Sequence, residues 1–180
     1  MLKLFGKKKQ REKIKESVNA TNVLFETDLD DIWIIAERNS FIIAMSGWVS
    51  KKCNYGNDIG KLSHAERVFY LVNELEMEIN NSGFEQYLYN SSGNFANEIV
   101  NALREIKACA TSEIIGKALT AIGCTIPEER SEREEKLDEM LTDDVSEIFS
   151  ECDNEFYEYT DNLEELNYQF ILNNKDQFCR

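Results

Sequence analysis

The stretch that decides the fold is Asn80-Asn-Ser-Gly-Phe-Glu-Gln-Tyr-Leu-Tyr-Asn-Ser-Ser-Gly93, a run dense in amide, hydroxyl and aromatic side chains. Apolar residues recur at helical spacing on both sides of this central segment (residues 80–93). Glycine permits the backbone conformations that tight turns require. We therefore expect a short helix, roughly from Gly83 to Tyr89, held between turns at Gly83 and Gly93.

Two interpretations of the polar side chains in the central segment stay open. In the first, the amides are mostly buried and tie the turns to neighbouring helices through hydrogen bonds to backbone groups. In the second, they line a small polar pocket for a ligand, which would form if the first and last helices of the domain met there. The residues concerned are Asn80, Asn81, Gln86, Tyr87, Asn90 and Asp161.

Capping signals and apolar stripes predict an all-α fold around this segment. Ser63-His-Ala-Glu66 has the S-x-x-E pattern of a capping box, and apolar residues follow it at helical spacing. A single proline agrees with a nearly all-helical chain. Further helix starts are predicted at Asn39 or Ser40, at Asn94, at Thr111 or Ser112, at Thr142 and at Asp161, with a helix end at Gly123.

The domain organisation follows from composition along the chain. Residues 1–20 hold seven Lys or Arg against two Glu, so residues 1–21 are predicted to form a basic tail or frayed helix. Residues 22–180 are predicted to form one compact domain of about seven or eight short helices. No apolar run is long enough for a signal peptide or a membrane span.

Charge and cysteine content exclude several functional classes. The formal net charge is −14, so direct binding to nucleic acid is not expected because phosphates would be repelled. The five cysteines are widely spaced and the chain has one histidine, so we expect reduced thiols in a cytoplasmic protein, with no metal site and no cofactor.

The acidic residues are concentrated between residues 128 and 165. This segment holds seventeen Asp or Glu and three Lys or Arg, and its apolar residues keep a helical period. The carboxylates are therefore predicted to lie on the outer faces of ordered helices, either to present charge to a basic partner or only to keep the protein soluble. The partner-binding candidates are Glu132, Glu135, Glu139, Asp143, Asp144, Glu147, Glu151, Glu155 and Glu158.

Three motifs in this order resemble one known family. Residues 62–72 match the pattern L-S-x-x-E-R-x-x-Y-L-V, the central segment is similar to N-N-G-G-F-x-Q-Y-F-x-N-S-S-G, and residues 156–163 are similar to F-Y-x-Y-x-D-N-L. These are the patterns of the small, acidic, all-helical bacterial DNA-mimic proteins, and the resemblance covers roughly residues 25–178. Ser82 stands where the family usually has Gly and Leu88 where it usually has Phe, and both departures are conservative for the fold.

The resemblance implies a non-enzymatic role in transcription regulation. The protein would occupy the DNA site of a basic DNA-binding protein, such as a transcription factor, without contacting nucleic acid or a membrane. A homodimer is compatible with this role. Because the shared motifs resemble scaffold, mimicry would depend on the acidic residues of 128–165 rather than on the motifs themselves.

An enzymatic or small-ligand function is the alternative, and it would use the pocket at the central segment. His64 is the only histidine and lies at a predicted helix start, where we expect it to be exposed. A Ser-His-Asp or Cys-His site would need a histidine other than His64, and the chain has none. The phosphate-binding patterns G-x-x-x-x-G-K-[ST] and G-x-G-x-x-G are also absent from the sequence. The residue types therefore favour a non-enzymatic protein.

Overall fold

The computed structural model describes residues 24–123 and 125–179, in which helices are the only regular secondary structure. This confirms the all-α prediction. The basic tail predicted for residues 1–21 lies outside these residues. The α-helices of the described ranges are α1 (Leu29–Ile32), α2 (Arg38–Lys52), α3 (His64–Tyr89), α4 (Ala96–Glu105), α5 (Cys109–Ile122), α6 (Arg130–Met140), α7 (Asp143–Tyr157) and α8 (Leu163–Asn173). Short 3-10 helices cover Ile59–Lys61, Ser91–Phe95 and Lys175–Gln177.

The longest helix, α3, organises the fold. It packs against α2, α4, α6, α7 and α8, and its buried stripe includes Phe69, Leu75 and Ile79. The predicted capping box begins it: Ser63 Oγ accepts from the Glu66 amide at 3.2 Å, and Glu66 Oε2 accepts from the Ser63 amide at 2.7 Å. None of the helices in the described ranges is long and apolar enough to cross a membrane.

Gly83 breaks α3 without ending it. Its φ of 82° lies in the left-handed region, which favours glycine, so the predicted turn at this residue is confirmed. The helix resumes after it, because the carboxylate of Asp153 on α7 accepts from the Phe84 amide at 2.8 Å. A side chain at residue 83 would place its Cβ 2.5 Å from Asp153 Oδ2. The short helix predicted for residues 83–89 is therefore the last part of a longer, interrupted helix.

Gly93 is needed for space rather than for an unusual φ. It lies inside the 3-10 helix Ser91–Phe95, and its φ is not positive. A Cβ at this residue would collide with the backbone carbonyl of Leu88 and lie 3.0 Å from Arg133 Nε. The predicted turn at Gly93 is therefore replaced by a close approach between the 3-10 helix and the end of α3.

Two helix boundaries agree with the sequence prediction. Thr142 caps α7, with its hydroxyl accepting from the Val145 amide at 3.4 Å. Gly123 ends α5 with a φ of 71°. The start of α2 lies slightly earlier than predicted, because Glu37 caps it by accepting from the amides of Asn39 and Ser40 at 3.0 and 2.7 Å. The backbone amides of Asn39 and Ser40 are therefore the donors that Glu37 caps, and neither residue is itself the cap.

The predicted starts of α5 and α8 are also corrected. Helix α5 begins at Cys109, before Thr111, and Asp161 supplies its cap from a distant part of the chain by accepting from the Thr111 amide at 2.7 Å. Asp161 is thus unavailable to α8. Asn162 caps α8 instead, accepting from the Glu165 amide at 3.0 Å.

Arg133 is fully buried and joins α6 to the central segment. Its guanidinium donates to the carbonyl oxygens of Leu88 at 2.6 Å and Asn90 at 2.9 Å. It also donates to Asn94 Oδ1 at 2.8 Å. Asn94 therefore does not cap α4 as predicted, and that helix begins at Ala96. Two further bonds, each of 2.9 Å, reach the carbonyl oxygens of Pro127 and Glu128. One side chain therefore fixes the C-terminal end of α3 and the loop that leads into α6.

A carboxyl group on α3 gives the fold a dependence on pH. Burial, with a smaller contribution from the charge of Glu78, raises the pKa of Glu74 to about 7. The unfolded chain releases this proton near pH 4.5, so between about pH 4.5 and 7 the folded state binds more protons than the unfolded state. Below that window Glu74 is protonated in both states, and it therefore does not destabilise the fold. Raising the pH through the window destabilises the fold by roughly 2–3 kcal/mol.

Replacing Glu74 with Gln should remove this penalty. We expect Glu74→Gln to melt about 4–8 °C higher than the wild type at pH 8 and at nearly the same temperature at pH 4.5. The measurement is thermal unfolding of both proteins by circular dichroism at several pH values. Equal differences in melting temperature at both ends of the range would contradict the assignment.

Candidate partner-binding surface

All nine carboxylates predicted for partner binding are exposed. Glu132, Glu135 and Glu139 lie on α6, at helical spacings that place them along one side of it. The other six begin at the N-terminal turn of α7 and follow it to its C-terminal cap. They are Asp143, Asp144, Glu147, Glu151, Glu155 and Glu158. We call these nine residues the acidic surface.

Caps and buried side chains hold the two helices of the acidic surface in place. Glu129 caps α6 by accepting from the Glu132 amide at 3.0 Å, and Leu137 with Arg133 anchors its inner face. Helix α7 is anchored by Phe149, which packs edge-on against Phe84 of α3 with 5.1 Å between ring centroids. Further buried residues of α7 are Cys152 and Phe156. The carboxylates are therefore carried on ordered backbone.

Within the part of the chain that the structure describes, three of the nine carboxylates are paired with a basic residue. Lys117 on α5 donates to Glu151 at 3.1 Å and to Glu155 at 3.2 Å, and these contacts raise the pKa of the lysine. Lys136 approaches Glu139 at 3.5 Å. The other six carboxylates have no ion pair with a described residue, so most of the charge is available to a partner.

The spacing of charge along α7 is close to that of phosphates along a DNA strand. A helix rises about 1.5 Å per residue, so residues 143–158 span about 24 Å. Six of the nine carboxylates lie within this length, or about one every 4 Å. A DNA strand carries one phosphate per roughly 3.4 Å of its axis. The density is comparable, and the arrangement can therefore attract a groove built to hold a phosphate backbone.

The polar pocket proposed as an alternative does not assemble. Asn80, Asn81 and Gln86 are exposed, and they lie on the outer face of α3, which remains helical up to Ser82 and resumes at Phe84. The prediction that these three amides are buried is wrong. Asp161, the residue predicted to close the pocket, instead binds the Thr111 amide on α5.

The remaining residues of the central segment have structural partners. Tyr87 is fully buried, and burial raises the pKa of its hydroxyl. Asn90 is half-buried, accepts from Gln86 Nε2 at 3.0 Å and donates to Glu78 at 2.7 Å. The Asn80 amide bonds the hydroxyl of Tyr159, which follows α7. Asn80 and Asn90 therefore tie neighbouring parts of the chain together, as the first interpretation predicted, although Asn80 does so from the surface.

His64 lies at the start of α3, and 66% of its side chain is exposed. Its Nε2 lies 2.7 Å from a Glu105 carboxylate oxygen at the end of α4. The expectation of an exposed histidine is confirmed. Within residues 24–123 and 125–179, no group of three or more His, Cys, Asp or Glu is arranged to hold a metal ion.

Sequence reasoning missed two residues that position the acidic surface. Arg133 was counted among the basic residues of an acidic helix, although its spacing from Leu137 places both on the same helix face. Asp153 was counted with the carboxylates of 128–165, but its contact with the Phe84 amide holds α7 against the break in α3. The register of Asp153 with the buried residues Phe149 and Phe156 was the available signal.

A comparison with known families identifies the family to which the chain belongs. The family model described as DMP19-like protein matches residues 60–174, which is 115 of the 180 residues. No curated protein and no solved structure matches the chain. The match spans α3 to α8 and so includes both the central segment and the acidic surface. The chain therefore belongs to the family of DMP19-like proteins, named after DNA mimic protein 19.

Proposed function

We propose that the protein is a non-enzymatic DNA mimic, and that its acidic surface occupies the DNA-binding site of a basic partner such as a transcription factor. The observation that carries the proposal is the exposure of all nine carboxylates on two consecutive, anchored helices. Family membership supports the same role.

Rigidity distinguishes this surface from a flexible acidic tail. A flexible segment must be ordered when it binds, and that ordering costs free energy. The carboxylates of α6 and α7 are already held by caps at Glu129 and Thr142 and by buried anchors. Binding energy from electrostatic attraction therefore need not be spent on folding the helices.

Crowding of like charges supports a functional reason for the surface. Carboxylates at i, i+4 spacing on α7, such as Glu147, Glu151 and Glu155, repel one another by a few tenths of a kcal/mol per pair. Lys117 relieves part of that repulsion, but six of the nine carboxylates remain without an ion pair in the described ranges. Solubility alone requires less concentrated charge.

Competition with DNA tests the proposal. Immobilised protein would first capture partners from a native lysate at 50 mM salt, and each captured DNA-binding protein would then be purified. We expect its affinity for the acidic protein to fall about tenfold or more between 50 and 200 mM salt, since the contacts are ionic. We also expect the partner's own duplex DNA to displace the acidic protein. A ternary complex of partner, DNA and acidic protein would contradict mimicry.

A further inference from the structure

A cleft of about 300 Å³ lies between α5 and the C-terminal end of α7. Its lining includes Ala110 and Ile114 of α5, which we call its floor, and Thr160, which follows α7. The charged lining residues, which we call its rim, are Glu113, Lys117, Glu155 and Glu158. The volume is at the lower end of the range for ligand pockets, about 300–1,000 Å³, which suits one long side chain better than a cofactor.

A hydrogen bond beside the cleft joins the loop after α7 to α5. The Asp161 carboxylate accepts from the Thr111 amide at 2.7 Å, next to Ala110 in the floor. This bond fixes the loop after α7 against the first turn of α5. Helices α5 and α7 also pack directly on each other, with Ile115 and Cys152 buried. The cleft is therefore bounded by two helices that pack on each other and by a loop that is tied to α5.

The charges on the rim are unequally used. Lys117 is already bound to Glu151 and Glu155, at 3.1 and 3.2 Å. Glu113 and Glu158 are exposed and have no ion pair with any residue of the described ranges. The cleft thus combines an apolar floor with two carboxylates that have no cationic partner among residues 24–123 and 125–179.

We propose that this cleft receives one arginine side chain of the basic partner. The aliphatic stem would lie on Ala110 and Ile114, as long charged side chains commonly lie on apolar surface. The guanidinium would then meet the carboxylates of Glu113 and Glu158, and its planar donors suit paired carboxylates better than the ammonium of lysine does. The inference rests on the proposed function, which supplies the basic partner. It adds one specific contact to the electrostatic attraction between that partner and the acidic surface.

A peptide titration tests the cleft without the partner. The probes are the capped peptides Ac-(Gly-Arg)4-NH2 and Ac-(Gly-Lys)4-NH2, and the readout is the chemical shift of the Ile114 methyl groups in the full-length protein. We expect saturable shifts at Ile114 with the arginine peptide and an apparent affinity several-fold weaker with the lysine peptide. Equal affinities for the two peptides would overturn the proposal.

Paired variants separate the cleft from general acidity. The double variant Glu113→Gln with Glu158→Gln should weaken the arginine peptide about tenfold. The control, Asp31→Asn on α1 with Asp176→Asn on the last 3-10 helix, removes the same charge outside both the cleft and the acidic surface and should change the affinity less than about twofold. Ala110→Leu fills the floor without altering charge and should also weaken binding. An equal loss of peptide affinity in both double variants would mean that the peptide responds only to the general negative charge, and the proposal would be overturned.

The basic segment at residues 1–20 is the competing occupant. If the cleft were filled by this segment, a variant that lacks residues 1–20 would bind the arginine peptide more than about tenfold more tightly, and the proposal would fail. Little change on removal supports an external arginine. Failure of the cleft is distinguishable from failure of mimicry, because DNA competition does not depend on Ile114 or Glu113.

Discussion

Replacing Arg133 with Met should lower the free energy of unfolding by about 3–5 kcal/mol, the largest loss of stability that we expect from a single substitution. The guanidinium donates five hydrogen bonds, four of them to backbone carbonyl oxygens. Methionine fills a similar space but donates none, so these buried or partly buried acceptors would lose their partner. No described carboxylate pairs with Arg133, and the loss is therefore one of hydrogen bonds and not of an ion pair.

Arg130 provides the matched control on the same helix. It is exposed and makes one ion pair with Glu134, at 2.8 Å. Arg130→Met should therefore cost less than about 1 kcal/mol. Arg133→Lys should fall between the two, because an ammonium has three donors in place of the five of guanidinium. Urea unfolding of the three variants measures the differences, and equal stability of Arg133→Met and Arg130→Met would contradict the role given to Arg133.

Arg133 also shows why part of the fold could be predicted and part could not. The capping box at Ser63, the cap at Thr142 and the left-handed residues Gly83 and Gly123 are local signals, and all four agree with the structure. The partners of Arg133 are not local, since Leu88 and Asn90 precede it by more than forty residues, at separations of 45 and 43. Sequence spacing gives no means of pairing such residues.

The same limit explains the errors at the central segment. The same residue types, Asn and Gln, occur both as buried helix caps and as solvent-exposed side chains. The burial of Asn80 and Asn81 could therefore not be predicted from the sequence. They lie on the exposed face of α3 before the Gly83 break. The helix resumes after that break with the support of a contact from Asp153 of α7. The cap of α5 depends likewise on Asp161, fifty residues further along the chain.

The acidic surface, by contrast, could be predicted residue by residue. Charged residues interleaved with an apolar helical stripe must face solvent, and all nine predicted carboxylates do. The sequence did not show which of them are paired, because Lys117 reaches Glu151 and Glu155 from a different helix.

The charge-reversal variant Glu135→Lys with Glu139→Lys and Glu147→Lys should weaken partner binding about a hundredfold or more. Each substitution replaces an attraction to a basic groove by a repulsion, and three such changes of about 1 kcal/mol each reach that factor. All three residues are exposed and lie away from the N-terminal turns of α6 and α7, so helix content should not change. Circular dichroism checks the helices, and titration of the purified partner measures the affinity.

A second triple separates position from net charge. Asp31→Lys with Glu105→Lys and Asp176→Lys changes exposed carboxylates on α1, α4 and the last 3-10 helix, outside the acidic surface. Each triple moves the formal net charge by +6, from −14 to −8. If binding depends on the geometry of α6 and α7, the second triple should stay within about threefold of the wild type, because long-range attraction is screened at 150 mM salt. Equal losses in the two triples would mean that the partner responds only to net charge, and the acidic surface would not be the binding site.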